Sequence, residues 1–186
     1  DPTHEHDACG VGFVADIRGR KSASVVEKAI QVLLNLEHRG ACGCEANTGD
    51  GAGILLQTPH AFLAQECLTL AIDLPVFGQY GVGLVFLPTL EGCRKECEGL
   101  FEKIVCEEGQ RVLGWRTVPI DDGLIGPTAQ SSRPVARQIL IGRGEGLADD
   151  LAFERKLYVI RRRVARAVKR SEIRQRSMFY ICSLSY

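Results

Sequence analysis

At 186 residues the chain has the length of one domain, with 45% hydrophobic and 25% charged residues, an ordinary composition for a globular protein. Twenty-three basic side chains balance 23 acidic ones, so no global field recruits nucleic acid, and no apolar stretch approaches the roughly 18 residues of a membrane span. The first eight residues are polar and lack the apolar core of a secretory signal. The expected location is therefore a bacterial cytoplasm, or a plastid if the source is plant-like. The eight cysteines are then read as reduced thiols.

Residues 1–8 carry Asp1, Glu5, Asp7 and two histidines without any hydrophobic pattern, as a frayed terminus does. Residues 9–17 read as the first strand, with Cys9, Val11 and Phe13 on one face and Gly10, Gly12 and Val14 on the other. Two glycines in a strand mark a close approach of backbone or ligand, which makes Cys9 a candidate nucleophile in a confined site. Read alone, Cys9 is more simply a small core hydrophobe. After a turn at residues 18–21, Ser24 and Glu27 form a capping box. The helix it opens carries Val25, Ala29, Val32, Leu33 and Leu36 on one stripe and stops at Gly40. Arg39 thus arrives at the mouth of a glycine-rich loop, where by itself an arginine would cap the last helical carbonyls.

Gly49-Asp50-Gly51-Ala52-Gly53 lacks both the dinucleotide spacing and the phosphate-loop lysine, and a strand is expected over residues 52–57. Small residues there leave room for a substrate or for close strand packing. Pro59 opens a short helix reaching Cys67. Residues 80–87 form a strand buried on both faces, residues 90–107 a helix ended by Gly109, and residues 110–118 a strand holding Trp115. Residues 121–134 read as a loop, 136–141 as a strand and 142–146 as a turn. The longest helix runs from Asp149-Asp150 to Arg170 with an inward stripe of Phe153, Leu157, Ile160, Val164 and Val168, so its arginines are a solvated face. A last strand covers residues 177–184. Cys42-x-Cys44 and Cys93-x3-Cys97 match no metal-ligand spacing, and no metal site is assigned. Pattern alone leaves α/β and α+β both open.

Asp7-Ala8-Cys9-Gly10-Val11-Gly12-Phe13, the helix ending in His38-Arg39-Gly40, and Thr48-Gly49-Asp50-Gly51-Ala52-Gly53 together resemble the N-terminal class II glutamine amidotransferase domain of glutamate synthase large subunits. This domain belongs to the N-terminal nucleophile hydrolases. The resemblance continues through Trp115-Arg116, Phe153-Glu154-Arg155-Lys156-Leu157-Tyr158 and Phe179-Tyr180-Ile181, and so covers essentially the whole chain.

The resemblance implies an α+β fold, a four-layer αββα sandwich that is incomplete at the C-terminus. It implies a pro-segment, residues 1–8, cleaved between Ala8 and Cys9, ahead of an amidotransferase part over residues 9–186. The implied reaction is hydrolysis of glutamine to glutamate and ammonia, with Cys9 as nucleophile and its own α-amine as base, leaving His38 and His60 without a catalytic role. Arg39, Gly40, Asp50 and Gly51 are implied to shape the substrate pocket. No cofactor is implied for this segment; FMN and an iron–sulfur cluster are implied for the full-length protein. Implied partners are glutamine, a synthase region of the same chain that uses the ammonia on 2-oxoglutarate, and a small NAD(P)H-oxidising subunit or ferredoxin, with neither nucleic acid nor membrane.

One departure from the pattern stands out. The family's arginine for the glutamine carboxylate, its Asn-Gly pair for the oxyanion and its acidic residue for the substrate amine have no match in the 186 residues. The expectation is an N-terminal piece of a longer chain that is inactive by itself and not cleanly monomeric. Two other classes remain: a stand-alone hydrolase or amidotransferase of another synthase, and a non-catalytic binding domain using Cys42 and Cys44.

Overall fold

The computed structural model describes residues 10–37, 45, 48–49 and 51–185. The chain divides into two compact units, residues 1–56 with 121–132, and residues 57–120 with 133–186.

The second unit is organised by four strands: β1 (Tyr80–Leu87), β2 (Arg111–Thr117), β3 (Val135–Gly142) and β4 (Tyr180–Ile181). They form one sheet in the order β2-β3-β1-β4, every neighbouring pair antiparallel. β1 pairs with β3 from Tyr80↔Gly142 to Leu87↔Val135, and β2 carries an irregularity between Val112 and Gly114. The continuous apolar run of β1 is explained by cover on both of its faces.

On one face lie α3 (Glu91–Glu107) and α5 (Asp150–Arg170). Val85, Leu87, Ile139 and Ile141 meet Phe101, Ile104 and Val105 of α3 and Phe153, Leu157, Ile160, Val164 and Val168 of α5, all buried. The α5 stripe repeats at helical spacing, so one ~100° face of the helix accounts for all five. Phe101 is fully buried edge-on to Trp115, with centroids 5.6 Å apart. Burying a side chain of that size contributes about 1.5–3 kcal/mol. Asp149 caps α5 by accepting from the Ala152 amide at 2.6 Å, and Gly109 takes a φ of +72° after α3. The other face of β1 packs under α2 (His60–Thr69), whose Leu63 and Cys67 are buried with Tyr80, Val82 and Leu140. Helices against an antiparallel sheet make this an α+β fold; the described residues contribute one four-stranded sheet to it. No described helix is long and apolar enough to cross a membrane.

The first unit holds α1 (Ala23–Asn35) and α4 (Pro127–Ser132). The expected apolar stripe of α1 is there, since Val25, Ala29, Val32, Leu33 and Leu36 are all half-buried. Its ends differ from expectation. The N-cap is Ser22, whose side chain caps nothing, Ser24 lies inside the first turn, and the helix closes at Asn35. The capping box fails because Ser24 is not at the N-cap; its Oγ lies 2.9 Å from Ser22 Oγ instead.

Three expected strands are absent or shortened. Residues 10–17 and 52–57 join no ladder, and the last strand reduces to Tyr180–Ile181 after a 3-10 turn at Arg176–Met178. Alternation places side chains on two faces, but a strand also needs a neighbour for its N–H and C=O groups. Residues 121–134 are not wholly a loop either, because α4 starts at Pro127, a residue pre-set for the first helical position.

Candidate functional site

Ala8, Cys9, Arg39, Gly40 and Asp50 lie outside the described residues, as do the pro-segment and Cys42 and Cys44. Of the candidate pocket residues Gly51 is described: it is exposed, and a Cβ placed on it would meet nothing within 4 Å. The described residues next to them in the chain are as follows.

Residues 10–14 lie along α1. A Cβ at Gly10 would come within 2.7 Å of Leu36 Cδ2, and one at Gly12 within 2.5 Å of Val32 Cγ1. The two glycines therefore serve helix packing, which is the close-approach reading without a ligand. Val11 and Phe13 point the other way and are 94% and 93% exposed, as the two-residue period requires. The turn that follows is tied by Asp16, which accepts from the amides of Arg18 at 2.8 Å and Arg20 at 3.3 Å and pairs with the Arg20 guanidinium. The Arg18 amide above all holds the Asp16 carboxyl below the usual carboxylate range.

The glycine-rich stretch is anchored by two residues that its sequence pattern did not single out. Glu45 accepts from the backbone amides of Thr128 at 3.0 Å and Ala129 at 3.4 Å, in the first turn of α4. Thr48 donates its hydroxyl to Glu45 Oε2 at 3.3 Å and accepts from the Gly126 amide at 3.0 Å. The Thr128 amide is the main cause of a Glu45 carboxyl held below its ordinary value. No one-dimensional signal links residues about 80 positions apart, although a Gly-Pro pair opening a short helix is a legible start.

Polar groups of the second unit are committed elsewhere. His60 Nδ1 lies 3.1 Å from the Tyr80 hydroxyl, and burial pushes that hydroxyl's pKa up to about 12. Arg116 is buried, donating to Glu66 and, at 3.0 Å, to Gln138, with Phe62 beneath its guanidinium at 5.3 Å. A buried guanidinium so fully bonded holds the sheet to α2 rather than a ligand. Cys93 and Cys97 both enter the α3 core. Burial raises the Cys97 thiol to about 11 and also pushes up Cys67 and Cys182, which disfavours the thiolate form of each.

Residues 9–186 match the family of the class II glutamine amidotransferases. The chain belongs to that family. It is 48% identical over 161 residues to the glutamate synthase [NADPH] large chain of Bacillus subtilis (strain 168), covering 87% of this chain and 10% of that protein. To the corresponding large chain of Azospirillum brasilense it is 42% identical over 186 residues, covering 100% of this chain and 12% of that one. To ferredoxin-dependent glutamate synthase 2 of Synechocystis sp. it is 38% identical over 181 residues, or 97% of this chain and 11% of that protein. The chain thus spans about a tenth of the length of the curated relatives it matches.

Proposed function

We propose that this chain is the glutaminase part of a glutamate synthase, with Cys9 as its nucleophile. The observation that carries the reading is the family match, which begins at Cys9 and extends to residue 186. In this mechanism Cys9 Sγ attacks the side-chain amide carbon of glutamine, and the Cys9 α-amine takes the thiol proton. That proton passes to the departing nitrogen as the C–N bond breaks, releasing ammonia and leaving a γ-glutamyl thioester. Water, deprotonated by the same amine, then hydrolyses the thioester to glutamate. An α-amine with a pKa near ~8 is suited to this exchange at neutral pH. His60 does not have to be the base, since its Nδ1 faces the Tyr80 hydroxyl. Arg39, Gly40, Asp50 and Gly51 are the proposed walls of the glutamine pocket.

The ammonia would be used on 2-oxoglutarate by a synthase region of the same polypeptide. FMN and an iron–sulfur cluster belong to that region in this reading, with a small NAD(P)H-oxidising subunit or ferredoxin as electron donor. The described thiols do not suit a cluster, because Cys93 and Cys97 are buried among apolar side chains and no described group of three or more ligating residues converges. No step here runs through either group. The test is the stoichiometry of the reaction. Purified full-length protein given glutamine alone should release glutamate and ammonia in a ratio of about one to one; a folded protein that releases neither would refute the assignment.

A further inference from the structure

We infer that Glu45 is a positioning residue for the glutamine pocket: with Thr48 it clasps the glycine-rich stretch to the segment 121–132 and so biases where Gly51 stands. This inference rests on the proposed role of Gly51 in that pocket.

Among the described residues of the stretch, apolar packing contributes little. Residues 51–57 are all exposed, Ile54, Leu55 and Leu56 among them, and Gly51 and Gly53 would meet nothing within 4 Å even with a Cβ added. Apolar burial therefore does not fix this backbone. What fixes it is a closed polar ring. The Glu45 carboxylate takes two amides of α4 and the Thr48 hydroxyl, and that hydroxyl in turn takes the Gly126 amide. Each of the two side chains thus bonds both along its own stretch and across to the opposite segment. A carboxylate accepting backbone amides makes stronger bonds than a neutral acceptor, so the ring favours an acid at position 45 over its amide.

The opposite segment is shaped to receive it. Gly126 is buried, and a Cβ there would run into the Glu45 carboxylate at both oxygens. Gly126 is thus small because the acid occupies the space that a side chain would take. The segment is also internally braced, with Asp121 Oδ1 accepting the Gly123 amide at 3.1 Å and Gln130 Nε2 donating to the Asp122 carbonyl at 3.0 Å. A braced platform facing a loop whose described residues bury little apolar surface is the arrangement in which one pair of side chains biases the loop's position.

The clasp can be broken from either side, by Glu45→Gln and by Gly126→Ala, and both are tested in full-length protein. Steady-state assays vary glutamine in one arm and supply ammonia in place of glutamine in the other, with a thermal melt of each variant. Both substitutions should raise the glutamine KM about 10-fold or more while kcat falls by less than about 3-fold, and ammonia-supported synthesis should stay at the wild-type rate. Thr48→Val should behave likewise, and Thr48→Ser, which keeps the hydroxyl, should restore the wild-type KM. A glutamine KM within 2-fold of wild type in Glu45→Gln, or an equal loss of both activities following the melting temperature, would overturn the positioning role. Failure of the glutaminase reading itself shows separately, as a Cys9→Ala protein that still turns over glutamine.

Discussion

Cys9→Ala should remove glutamine-dependent glutamate formation by at least ~10³-fold, well inside the ~10⁶-fold loss that deleting a covalent nucleophile causes in other hydrolases. The loss is large because the thioester route has no substitute attacking atom. Cys67 and Cys97 are 1% and 0% exposed, and at neutral pH a thiol raised to about 11 is thiolate in only about one molecule in 10⁴. Cys106 is exposed on α3, but the proposed α-amine base belongs to Cys9 alone. Replacing the nucleophile leaves the proposed synthase region alone, so ammonia-supported activity should persist. The check is a paired assay of full-length wild type and variant with glutamine and then with ammonia. Equal loss of both in a folded variant would move the nucleophile away from Cys9.

The second large effect concerns the bond between Ala8 and Cys9. While that peptide bond is intact the Cys9 nitrogen is an amide, with no lone pair available for a proton, and the proposed base does not exist. General-base catalysis contributes about 10²- to 10⁴-fold, so protein retaining residues 1–8 should be slower by that factor than protein beginning at Cys9. N-terminal sequencing of active enzyme should return Cys9 as the first residue. Full activity in a preparation whose Ala8–Cys9 bond remains intact would exclude the α-amine as base.

Much of the second unit was legible in the sequence. The strand at Tyr80–Leu87 was placed to the residue, and α3, β2, β3 and α5 within one or two, because each carries a strong period or an unbroken apolar run between turn residues. Cys93 and Cys97, whose spacing fits no metal-ligand pattern, stand a helical turn apart in the core. The first unit was harder for a physical reason. At residues 10–14 the alternation was right about which side chains share a face, but the glycine face meets α1 rather than forming a ladder. At residues 52–57 an apolar run stands exposed, and periodicity cannot say whether a partner strand exists. Helix α4 escaped notice because its six residues are too few to show a period.

Legibility of the site divides in the same way. Cys9, Arg39, Gly40 and Asp50 were found through the motifs they share with a family, not through their own physics, and lie outside the described residues. Glu45, Thr48 and Gly126 were passed over because their relation is purely three-dimensional. A glutamate in a polar loop and a glycine before a proline are unremarked in one dimension; only the approach of the carboxylate to the position of the missing Cβ connects them.

The central claim is that Cys9 is the residue that attacks glutamine. Its most direct test is active-site labelling of full-length protein with one equivalent of a glutamine analogue carrying an electrophilic diazoketone, followed by peptide mapping by mass. The account predicts a single adduct on the peptide that begins at Cys9, formed in step with the loss of glutaminase activity and prevented by excess glutamine. An adduct on Cys106 or another of the remaining thiols that tracks inactivation while Cys9 stays unmodified would contradict it.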